Sequence, residues 1–92
     1  MNAEQEIVRG LQAQSILDSE IYKECVNQVR EAIISQWEAS PIRDREGQHE
    51  LRLMLKLLND LQANIKTVAD TGKLAKIQIE RDKTLLQRVV NW

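Results

Sequence analysis

Apolar residues in this chain recur at steps of three and four. The clearest run is Leu51, Met54, Leu58, Leu61, Ile65 and Val68. That spacing is the seam of a helix packed lengthwise against another helix. Leu53, Leu55 and Leu57 add apolar side chains off the seam. A helix apolar around much of its circumference needs cover on several sides. This stretch is therefore predicted to be the centre of a small helical bundle or of an oligomer. Upstream, Tyr22, Val26, Val29, Ile33 and Trp37 form a second helical stripe, flanked by Ile21, Cys25 and Ala32. Ile7, Val8 and Leu11 make a narrower one, joined by Ile16 and Leu17.

Start and stop signals divide these stripes. Asn2 can cap a first helix from Ala3 to Leu17, with Gln5 placed to reach back as a capping-box partner. Gly10 weakens that helix by about 1 kcal/mol relative to alanine. Asp18 or Ser19 can cap a second helix, Glu20 to Ala39, which Ser40-Pro41 ends because proline biases its predecessor out of the α region. Asp44 caps a third helix, predicted to run to Thr71. Gly72 would then supply a left-handed residue past its end and set the angle of the C-terminal segment. That fourth segment, Lys73 to Trp92, has apolar groups at both ends and the charged turn Glu80-Arg81-Asp82-Lys83 between them.

The predicted fold class is all-α, in one domain spanning residues 1–92. A short N-terminal helix (1–17) precedes an antiparallel helical hairpin (19–71), and a C-terminal helix or tail (73–92) completes a small bundle. The short link and matched stripes on either side of SPIRDREG dictate antiparallel packing. Val89, Val90 and Trp92 close a polar segment with apolar groups. Two readings stay open for them: fold-back onto the chain's own core, or contact with another molecule. Leu53, Leu57, Val89, Val90 and Trp92 are the predicted protein-interface residues.

Composition narrows the function classes. Fourteen acids and thirteen bases make the 92-residue chain nearly neutral, against a whole-molecule nucleic-acid binder. Residues 1–50 hold ten acids and five bases, and residues 51–92 hold four acids and eight bases. Such asymmetry suits head-to-tail contacts or a mildly basic C-terminal segment. Lys73, Lys76, Arg81, Lys83 and Arg88 are the residues that could meet phosphate, although Glu80 and Asp82 dilute them. The single cysteine, Cys25, excludes an internal disulfide, and its apolar flank suggests a buried structural thiol. No run of 18 apolar residues and no apolar leader appear, so the expectation is a soluble intracellular protein without membrane contact.

Chemistry-bearing motifs are sparse. Glu46-Gly47-Gln48-His49 has the Glu-x-x-His spacing of di-iron bundles, but those sites need two such pairs and this chain has one histidine. No Gly-rich phosphate loop, cysteine pair or Ser-His-Asp signature is present. The reading is no enzyme, no metal and no cofactor.

One pattern goes beyond periodicity. Trp37, Ser40-Pro41, Arg43-Asp44, Glu46-Gly47, Leu51 and then Gly72-Lys73-Leu74-Ala75 resemble small helical proteins encoded among the head and DNA-packaging genes of tailed bacteriophages. The resemblance spans Tyr22 to Ile79 and brings no catalytic residues. It implies a virion assembly or accessory protein, in the host cytoplasm or the virion, that contacts copies of itself or a larger phage structural protein. Two alternatives stand beside it: a DNA-packaging component of small-terminase type using residues 73–88, and a phage-encoded inhibitor of a host protein.

Overall fold

A computed structural model describes residues 1–90. Its elements are three α-helices: α1 (Ala3–Asp18), α2 (Glu20–Ala39) and α3 (Arg45–Val90). No strand occurs among the described residues. The helix starts follow from local hydrogen bonding. At α1, the Gln5 N–H donates to Asn2 Oδ1 at 2.8 Å while the Asn2 N–H donates to Gln5 Oε1 at 3.2 Å, a reciprocal capping box. At α2, the Tyr22 N–H donates to Ser19 Oγ at 3.3 Å. At α3, the Gly47 N–H donates to Asp44 Oδ1 at 3.0 Å. Helix α2 ends at Ser40, whose extended backbone (φ −73°, ψ 144°) is what a residue before proline adopts.

The third helix does not stop at Thr71. It runs through Gly72 for 46 residues, so the expected cap and the separate C-terminal helix are both absent. No glycine has positive φ. A glycine inside a helix costs about 1 kcal/mol relative to alanine, and packing explains why this one is there. A Cβ built on Gly72 would lie 2.7 Å from Gly10 Cα and 2.9 Å from the Glu6 carbonyl oxygen. A Cβ on Gly10 would meet Gly72 Cα at 2.7 Å and the Ala69 carbonyl oxygen at 3.3 Å. Two helix backbones meet at this point with no side chain between them.

The chain divides into two compact units. One comprises Met1–Ile16 with the part of α3 from Ile65 onward; the other is Leu17–Asn64. The first is built on small residues. Gly10 and Ala13 of α1 are buried, as are Ala69, Gly72 and Ala75 of α3. Ile7 is half-buried on the same face of α1 as Gly10, whereas Val8 and Leu11 of the expected stripe are exposed. The expected stripe follows the largest apolar residues of α1, and the contact falls on the smallest.

In the second unit Val26, Ile33 and Leu51 are buried, with Tyr22, Leu55, Leu58 and Gln62 half-buried beside them. The buried row of α3 is thus Leu51, Leu55, Leu58 and Gln62, and Met54 and Leu61 of the expected seam lie outside it. On α2, Val29 and Trp37 are also exposed. Arg30 ties the two helices on one side: Nη1 donates to Asn59 Oδ1 at 2.6 Å, and Nη2 donates to Gln62 Oε1. Gln62 occupies a row position that apolar periodicity passes over, because its amide is satisfied by the guanidinium. The Tyr22 hydroxyl is buried without a partner. Leaving such a group unsatisfied costs about 1–3 kcal/mol. Tyr22→Phe is therefore expected to raise the melting temperature or leave it unchanged, and thermal unfolding followed by circular dichroism checks the sign.

Candidate contact surfaces

Two apolar surfaces stand out as uncovered among the described residues. The first belongs to the Leu17–Asn64 unit. Helical geometry turns each residue about 100° from the last. On α3 this sets Met54, Leu57 and Leu61 about 140–160° or more from Asn59, on the far side of the buried row. All three are exposed, Met54 by 50%, Leu61 by 55% and Leu57 by 68%. On α2 the same geometry sets Cys25, Gln28 and Ala32 about 140–160° from Arg30. Cys25 is exposed, not the buried thiol expected. It sits one residue before buried Val26 and so points off the buried row. Leu53, one of the residues expected at an interface, flanks this surface and is exposed.

Charge is segregated in the same unit. The charged residues of α2 are Glu20, Lys23, Glu24, Arg30, Glu31 and Glu38. They fall within an arc of about 120° that begins at Arg30. Over residues 51–64 the charges of α3 are Arg52, Lys56 and Asp60. These span about 80° on the Asn59 side. Lys56 Nζ pairs with Asp60 at 2.9 Å and Lys23 with Glu20 at 3.8 Å. Such exposed pairs contribute little stability. The opposite side of both helices carries no charge over residues 21–36 and 51–64.

The second surface is the last part of α3. Over residues 76–90 every residue except half-buried Ile79 is exposed. Val89 and Val90 are among the most exposed large apolar residues of the chain. The helix continues without a break through residues 80–83, so the described residues do not fold back onto the core. Trp92, the remaining predicted interface residue, lies outside the described residues.

The five residues expected to meet phosphate lie within an arc of about 160° on α3, with Lys73 at its centre, Lys76 and Lys83 about 60–80° to one side and Arg88 and Arg81 about 60–80° to the other. Glu80 is four residues from Lys76 and three from Lys83, within their own surface row. Arg81 and Arg88 instead border a shallow groove with Ile77 and Leu85. His49 lies on the α3 surface beside Arg52, Lys56 and Asp60. No group of three or more metal-ligating side chains is gathered among the described residues. No helix among them is long and apolar enough to cross a membrane.

Sequence reasoning missed Arg30, Asn59 and Gln62. The signal available was a polar residue at helical spacing on each of two neighbouring stripes, which reads equally well as solvated surface. No protein-family model matches the chain, and no match is found among curated protein sequences or solved structures.

Proposed function

We propose that this chain is a non-enzymatic assembly or accessory protein that works by helix-mediated protein contact. The setting is the tailed-phage particle that the pattern over residues 37–75 implies. In this reading α2 and the first half of α3 form an antiparallel hairpin, and the end of α3 is an arm offered to a structural protein. The observation that carries the proposal is the exposure of large apolar side chains in continuous rows: Met54, Leu57 and Leu61 on one, Leu85, Leu86, Val89 and Val90 on the other. Apolar rows of this extent on a helix surface mark contact sites. The charged residues around them would set register rather than affinity.

The packaging alternative gains little from this geometry, because the five bases spread over about 160° of α3 and Glu80 lies among them. One titration separates the two. With duplex DNA at low salt, the chain is expected to show no binding by anisotropy, and purified particles or their assembly intermediates are expected to carry it by mass spectrometry. Binding at low salt that falls steeply as salt rises would overturn the proposal in favour of phosphate contact. Val89→Asp with Val90→Asp should leave the melting temperature unchanged and abolish incorporation into particles.

A further inference from the structure

We infer that the uncharged side of the Leu17–Asn64 unit is the seat of a second copy of this chain, docked through the same side of its own α2 and α3. The inference rests on the protein-contact reading and names the partner. Three observations carry it.

The first is charge. Ile21, Cys25, Gln28 and Ala32 on α2 and Met54, Leu57, Leu61 and Asn64 on α3 include no ionised group, while the charged residues of these helix stretches turn the other way. A two-fold contact sets each residue against the same patch on the other copy. A patch bearing charge of one sign would repel itself there; this one does not. A partner carrying charge at the contact would have to desolvate it unpaired. The surface is thus complementary to itself and poorly suited to a charged ligand.

The second is exposure. Met54, Leu57 and Leu61 are 50%, 68% and 55% exposed in the single chain, and an uncovered row of large apolar side chains is what the centre of a homodimer interface covers.

The third is architecture. Two helices can shield only one face of each other, and no large side chain among the described residues is fully buried. Two such pairs set face to face make a four-helix arrangement with a closed core, in which Met54, Leu57 and Leu61 become interior residues.

The test uses the full chain. Light scattering across a concentration series is expected to give twice the chain mass, and alkylation of Cys25 is expected to slow as concentration rises. Leu57→Glu and, separately, Ala32→Glu change side chains that are exposed in the single chain, so both variants should keep their helicity. Each is expected to weaken self-association at least about 100-fold, since a charge is buried without a partner, and to restore fast Cys25 alkylation. A wild-type monomer at the highest soluble concentration, or dimers indifferent to both substitutions, would overturn the inference. If the monomer still photo-crosslinks through Leu57 to a different protein, the dimer is wrong and the contact reading stands. If it crosslinks to nothing and binds DNA, both are wrong.

Discussion

Gly72→Leu is expected to detach α1 from α3. The first added carbon would lie 2.7 Å from Gly10 Cα and 2.9 Å from the Glu6 carbonyl oxygen, and both are backbone atoms that no rotamer change can move. Overpacking a well-fitted contact costs about 1–3 kcal/mol and occasionally more. Leucine adds three further carbons at the tightest point, so about 3 kcal/mol is expected even after the roughly 1 kcal/mol that leaving glycine returns to helix α3. Amide hydrogen exchange in residues 7–14 should accelerate by about 100-fold, while α2 amides should exchange at wild-type rates. Unchanged protection in α1 would show that the two glycines do not meet. Gly47→Ala makes the contrast. Its Cβ would press on the Asp44 carboxylate, the end of a flexible side chain that can swing aside. The lost cap costs about 1 kcal/mol and the gained helix propensity offsets it, so the melting temperature should hardly change.

Ile33→Asp should have the larger effect on the other unit. Ile33 is one of three buried residues there, with Val26 and Leu51. The substitution removes apolar contacts worth roughly 2–5 kcal/mol and places a carboxylate where its nearest neighbours are hydrocarbon. Whole domains are stable by only about 5–15 kcal/mol, and small ones lie at the low end. Loss of the cooperative thermal transition by circular dichroism is the expected outcome. Ile33→Val, which keeps shape and loses one methylene, should lower stability by only about 0.5–1.5 kcal/mol. Wild-type melting of the aspartate variant would mean that Ile33 does not lie between α2 and α3.

Helix starts are the most legible part of the sequence. Asn2, Ser19 and Asp44 act on backbone groups within three residues, so nothing distant can override them. Helix ends are legible where covalent geometry decides, as at Ser40-Pro41, and not where tertiary contact decides. Gly72 has the composition of a stop signal, and only the approach of Gly10, 62 positions away in the chain, reveals it as a crossing point. The face each helix buries is half legible. Periodicity places Leu51 and Leu58 on the buried row, but a helix with leucine or methionine at 53, 54, 55, 57, 58 and 61 offers two rows of equal hydrophobicity. Arg30, Asn59 and Gln62 break that tie, and their pairing spans about 30 residues of sequence. Of the predicted contact residues, Leu53, Leu57, Val89 and Val90 are all exposed. The five basic residues spread over about 160° of α3, and Glu80 among them was already legible in the sequence.

The meeting of Gly10 and Gly72 constrains how this protein can drift over generations. At most core contacts an enlargement on one side can be offset by a reduction on the other, and the pair wanders together through sequence space. Here each partner is already the smallest residue available, so a change at either position finds no second-site rescue at the other. Lineages descending from this sequence are expected to hold both glycines fixed and to show no covariation between them, whereas the leucine rows nearby exchange freely among Leu, Met and Ile.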